Sequence, residues 1–366
     1  MKYAYLFLCL FIVSCGIEEL IIPSDARQQY EKSLTDLERT YWNNVSQVAL
    51  KDSIVIDLPY KESIIQDSSS SISAGYILSL QQGKILQVSL GSISILMDVF
   101  FIETDTAQTL KSVYSPRYLS DQYDVEIEKS GRYFIRVQSK LKTDTNFEIT
   151  FNTKPVFTFP VAGGKNADIG SFWGDPRDGG KRKHKGIDIF AKKGTPLVAV
   201  SDARVSTVRN RGLGGKQIWL HDAKRKLNIY YAHLDSQYVN QGQAVFRGDT
   251  IGTVGNTGNA RTTPPHLHFG IYKSFSGAIN PLDFVKVATL KFTEPTAPSL
   301  VAGSIKEISN VKANFRASPH SKNSIVQVLQ KGDQIKIIGV SGDWYHVRTV
   351  EGTAGYLHKS LINKVT

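Results

Sequence analysis

Cysteine is almost absent from this 366-residue chain: the two present, Cys9 and Cys15, both lie near its start. That excludes a fold stapled by a disulfide framework, so stability has to come from apolar cores or from a metal. Long apolar runs are also missing. The run from Ala4 to Val13 is too short for an ordinary membrane-spanning helix. Long helical patterns are few, which argues against an all-helical protein. Negative charge is in deficit, with 33 Asp and Glu against 44 Lys and Arg and a net charge of +11. Such a balance suits anionic partners: nucleic acid, anionic lipid or an anionic wall polymer. No basic-aromatic RNA signature and no basic recognition helix accompanies the charge, so no nucleic-acid partner is expected.

What is plentiful is Gly, Tyr, Phe, Val, Ile and Thr in short runs, which points to a mainly β, multidomain chain. The start reads as an export signal over residues 1–14: Lys2, an apolar core, then Ile12-Val13-Ser14-Cys15-Gly16. These last residues resemble a bacterial lipobox, which implies lipid on Cys15, a membrane contact through that lipid, and an exported, lipid-anchored place in the cell envelope. Residues 15–71 then read as anchor, helix and linker. Ser24-Asp25 caps a helix running to about Val45, with Tyr30, Leu34, Leu37 and Tyr41 at helical spacing. Serines 68–71 read as a flexible joint. Residues 72–153 alternate short strands with turns, the pattern of a β-sandwich. Residues 154–291 form a glycine-punctuated antiparallel β domain, and 292–302 a Pro/Thr/Ser linker.

Residues 303–366 hold closely spaced strands and resemble a bacterial SH3-like barrel. The resemblance rests on Ala313-Asn314-Phe315-Arg316-Ala317-Ser318-Pro319, Gly342-Asp343-Trp344-Tyr345 and Gly355-Tyr356-Leu357. Phe315 and Tyr356 stand where that family more often has Val and Trp.

The chemistry concentrates between residues 184 and 268. His184-Lys185-Gly186-Ile187-Asp188 reads as strand, because Gly186 and the β-branched isoleucines disfavour a helix. On a strand His184, Gly186 and Asp188 share a face, and Gly186 leaves room for a metal between the other two. Tyr230-Tyr231-Ala232-His233-Leu234 puts Tyr231 and His233 on one face. His266-Leu267-His268 aims two imidazoles at one place. Two convergent imidazoles suit a transition metal, an acid/base pair, or one of each. His221, His320, His346 and His358 join no such pattern. The run Arg177-Asp178-Gly179-Gly180-Lys181-Arg182-Lys183 is a basic loop, either simply solvated or set to contact an anionic wall polymer or a substrate carboxylate.

In this order and spacing, the His-x-x-x-Asp, Tyr-x-His-Leu and His-x-His elements, with the Gly194-Thr195-Pro196 turn, resemble the lysostaphin-like metallopeptidases of family M23. The resemblance implies zinc held by His184, Asp188 and His268. It implies that His233 and His266 serve as general base and acid while a metal-activated water attacks a peptide bond. The implied substrate is the peptide cross-link of bacterial peptidoglycan. The alternative is a catalytically inactive relative that binds the wall or activates another hydrolase.

Overall fold

The computed structural model describes residues 25–362, apart from 52, 67, 69–70, 104–108, 144, 275, 298–299, 321 and 323. The export signal and Cys15 lie outside the described residues. No helix among the described residues is long and apolar enough to cross a membrane.

The expected single helix is two. Asp25 caps the first, Ala26–Ser33, by accepting from the Gln28 amide at 2.8 Å. The chain then breaks at Leu34, whose backbone is extended, and restarts as Asp36–Lys51. Thr35 and Glu38 account for the restart. The Glu38 carboxylate accepts from the Thr35 amide at 3.1 Å, and the Thr35 hydroxyl accepts from the Glu38 amide at 3.4 Å, a reciprocal cap that ends one helix and starts another. The pair is packed on the sandwich. Trp42 is fully buried, and its indole donates to the Ser139 carbonyl at 2.8 Å. Asp98, also buried, takes Arg27 from the first helix and Arg136 from the sheet, each at 2.8 Å.

One sandwich sheet runs Ser53–Val55, Ser73–Leu80, Gly131–Ser139, Ile95–Ile102, Leu110–Tyr114. The other contains Tyr60–Gln66, Thr145–Pro155, Lys84–Ser89 and Gln122–Glu126. The sandwich thus takes in two strands from the stretch 15–71, expected as anchor, helix and linker. Tyr60–Gln66 buries alternate residues, and one of them is Glu62. A carboxylate on the inward face hides the alternation that would mark a strand.

The second sheet does not end there. Ser63 pairs with Val340, so Tyr60–Gln66 continues into the C-terminal strands Gln334–Ser341, Trp344–Thr349, Ala354–His358, Lys312–Arg316 and Ile325–Gln330. Ile338, Ala354 and Tyr356 share a core with the sandwich. The expected linker is pinned as well: Thr296 and Ala297 donate to the Gly342 carbonyl, and Ala302 to that of Ile65.

In the sequence, the domain that carries the histidines lies between these parts. Its main sheet is antiparallel, in the order Ile169–Ser171, Ile187–Phe190, His266–Lys273, Leu227–Ala232, Lys216–Asp222, Ala203–Asn210, Ala244–Val245. One face of this sheet packs Ile187, Ile189, Tyr231, Leu267, Phe269 and Ile271 into a core. The opposite face is the floor of a cleft.

Candidate metal and active site

Three strands assemble the centre. His266–Lys273 lies between Ile187–Phe190 and Leu227–Ala232, with His268 directly opposite both Asp188 and Ala232. Odd residues of the central strand enter the core, so His266 and His268 face the cleft. The cleft has a volume of about 570 Å³ and is lined by His184, Asp188, His233, His266 and His268.

His184 Nε2, His268 Nδ1 and Asp188 Oδ1 form a near-equilateral triangle. The sides are 2.9 Å between the imidazoles and 3.0 Å from each imidazole to the carboxylate. His184 Nδ1 lies 2.8 Å from the Phe172 carbonyl, so its proton belongs there and Nε2 presents a lone pair. A neutral His268 has at most one proton to offer at Nδ1. The triangle therefore holds more acceptors than protons, the condition a cation relieves. A tetrahedral zinc with bonds of about 2.0–2.1 Å sets its ligand atoms about 3.3 Å apart, close to the spacing here. Two imidazoles and a carboxylate are a donor set that suits that ion. Burial alone would raise the Asp188 carboxyl, but the His184 and His268 imidazoles beside it outweigh this and hold the group well below the usual range. Burial also lowers the His268 imidazole, against the pull of Asp188.

Gly186 has a different job from the one its spacing suggested. The space it vacates is filled by the His268 ring, not left open for a metal. A Cβ there would stand 2.7 Å from His268 Cε1, 2.8 Å from Nε2 and 2.5 Å from the Phe269 carbonyl.

The other two imidazoles stand at the far side of this cluster. The His233 and His266 ring centres are 5.1 Å apart, and His233 lies 6.0 Å from His268. Nδ1 of His233 is 2.8 Å from the Thr257 carbonyl, and Nδ1 of His266 is 2.9 Å from that of Pro264. Each Nδ1 proton is thereby placed, and each Nε2 is left as an acceptor. Burial pulls the His233 imidazole down to about 4; the Thr257 carbonyl opposes this, while His266 and His268 add to it. At neutral pH His233 is thus uncharged and able to take a proton.

Tyr231 and His233 do not share a face as expected. Tyr231 points into the core, donating to the Val198 carbonyl at 3.0 Å and accepting from the Val200 amide at 3.1 Å. His233 adopts a φ of 65°, and this left-handed residue breaks the strand alternation and turns its ring into the cleft. Arg177 is the residue the sequence reading missed. The basic loop is a hairpin in which Arg177 pairs with Arg182 across Asp178-Gly179-Gly180-Lys181. Arg177 Nη2 donates to Asp188 Oδ2 at 2.8 Å and to Ser171 Oγ at 2.5 Å, which fixes the outer oxygen of the carboxylate. The Asp-Gly turn was the available signal.

Residues 182–281 match the model of Peptidase family M23, and residues 309–363 that of the bacterial SH3 domain. Residues 182–281 are thus similar to M23 peptidase domains, and residues 309–363 to bacterial SH3 domains. It is 37% identical over 123 residues to an L-Ala--D-Glu endopeptidase of Bacillus subtilis, covering 31% of this chain and 37% of the relative. It is 36% identical over 107 residues to the peptidoglycan DD-endopeptidase ShyC of Vibrio cholerae, covering 27% and 23%. It is 38% identical over 110 residues to the glycyl-glycine endopeptidase ALE-1 of Staphylococcus capitis, covering 29% and 30%. The chain spans less than two fifths of the length of each of these relatives.

Proposed function

We propose that this protein is a zinc endopeptidase that hydrolyses peptide cross-links of bacterial peptidoglycan. The observation that carries the reading is the proton-poor triangle of His184, Asp188 and His268 with two further imidazoles beside it in one cleft. The relatives' endopeptidase names support it. His184, Asp188 and His268 hold the zinc. When bound, zinc supplies Lewis-acid charge and brings water within reach of a base near neutral pH. His233, neutral and with Nδ1 anchored, would take the water's proton at Nε2, and His266, once protonated at its own Nε2 by that proton, would pass it to the leaving amine. The reverse assignment of these two histidines uses the same geometry. Arg177 holds Asp188 in register, and the strand floor lines up an extended peptide across the ligands.

The test is zinc content and cross-link cleavage, read together. Wild type is expected to bind about one zinc per chain and to lose it as protons compete for the imidazoles on acidification. His268→Ala should lose both metal and activity. His233→Ala and His266→Ala should keep zinc and fold but lose about 10²–10⁴-fold in turnover. Full zinc with no wall fragments in mass spectra would instead favour the non-catalytic wall-binding alternative.

We further propose that lipid on Cys15 tethers the enzyme to a membrane of the cell envelope, with the flanking units set against the wall. Multiple acyl chains would anchor stably where a single one would not. Cys15→Ser should move the protein out of the membrane fraction. Retention of that variant through a carbonate wash would remove the lipid from the reading.

A further inference from the structure

The cleft is electrically one-sided. Arg177, Arg182 and Lys185 line it on the side that carries His184, while Leu213, Asn259 and Thr263 line it without charge. Among the described residues of its lining, Asp188 is the only carboxylate, and it is already engaged. Oδ1 faces the two imidazoles and Oδ2 takes Arg177. Among the described residues, Arg182 spends only its Nε, on Asp178 at 2.8 Å. Lys185 is exposed at the rim, and no described carboxylate pairs with it. The hairpin that pairs Arg177 with Arg182 holds these cations beside the metal ligands.

A neutral oligoglycine strand seated here would cover ammonium and guanidinium groups and return no charge to them, a desolvation cost without compensation. A carboxylate would be met by charge-assisted hydrogen bonds from Lys185 and the open edge of Arg182. The field along one wall would also draw an anionic peptide in and set which way it lies.

We infer that the cleft selects a peptide bearing a free carboxylate beside the scissile bond, on the His184 side, held by Lys185 and Arg182. This rests on the endopeptidase reading and narrows it to anionic stem peptides over neutral oligoglycine bridges. The test uses the zinc-loaded full chain and three synthetic substrates. One is a cross-linked stem-peptide dimer with a free carboxylate on the residue flanking the scissile bond. The second is the same dimer with that group as a carboxamide, and the third is pentaglycine. The carboxylate dimer is expected to exceed both others by about tenfold or more in kcat/KM, through KM. Added salt should shrink the difference. A Lys185→Gln, Arg182→Gln double variant should bring the carboxylate-to-carboxamide ratio towards one. Calorimetric titration of His266→Ala with the two dimers should give the same preference without turnover. Equal cleavage of the two dimers, pentaglycine cleaved as fast as the carboxylate dimer, or a ratio unmoved in the double variant would each overturn the inference while leaving the endopeptidase reading intact. Cleavage of none of the three would overturn both.

Discussion

Gly186 shows how one missing side chain sets a site. The His268 ring lies where its Cβ would be, and the Phe269 carbonyl closes the other side, so Gly186→Ala has no cheap relaxation. The variant is expected to fold, because Ile187 and Ile189 keep their places in the core. Zinc affinity should fall by about 10–100-fold, the cost usual for disturbing the support of a ligand. Competition with a chromophoric chelator would measure it; unchanged affinity would show that the ring does not depend on this space. The convergence of His266 and His268 was legible in the sequence because they stand two apart on one strand; which residues would hold a metal came from the family resemblance, and the register that sets Asp188 opposite His268 came from the structure. What was not legible followed from backbone departures that spacing cannot express. His233 reaches the cleft through a left-handed φ, and Arg177 reaches Asp188 because a hairpin folds it back.

At the scale of elements, polar residues decide where segments stop and dock. Thr35 and Glu38 split what hydrophobic spacing read as one helix, and the capping box was there to be seen in Thr35-Asp36-Leu37-Glu38. Asp98 could not be understood from its neighbours. It sits within an otherwise apolar strand, Ile95–Ile102, and its charged partners are 71 and 38 residues away. It binds the helical pair to the sheet by taking Arg27 and Arg136 at once, while Arg27 also donates to Gln138 at 2.6 Å. Asp98→Ala would leave two guanidinium groups buried without their carboxylate. The expected loss is about 3–5 kcal/mol, the range for breaking a buried pair on one side. Urea unfolding, with Trp42 fluorescence reporting the docked helix, would measure it. A loss below about 1 kcal/mol would mean that the two arginines find water or other acceptors when the carboxylate is gone.

At the scale of the whole molecule, the C-terminal unit is built into the sandwich. Glu62, fully buried, accepts from the Tyr60 and Tyr76 hydroxyls at 2.8 Å each and lies 2.8 Å from His346 Nδ1. The Tyr60 and Tyr356 hydroxyls meet at 2.7 Å. This explains one departure from the usual SH3 pattern: Tyr356 stands where that family more often has Trp, and its hydroxyl takes part in a buried network shared with the sandwich. The peptidase domain is docked by a different kind of contact. Arg225 pairs with both oxygens of Glu126 at 2.5 and 3.0 Å, and the Phe284 ring lies on Gly83, yet its buried core is distinct from that of the sandwich, from which Ile85 packs against it. Shared core and shared ladder imply shared cooperativity; separate cores joined by a small docking contact do not. Calorimetry is therefore expected to show the sandwich and the C-terminal unit melting together, with the peptidase domain free to melt apart from them and to rise alone when zinc is added. Deleting residues 303–366 would uncover Tyr60 and the Glu62 carboxylate, so the sandwich transition should fall by several degrees or disappear. Were the C-terminal unit an independent bead on a linker, the sandwich would melt at the same temperature with or without it.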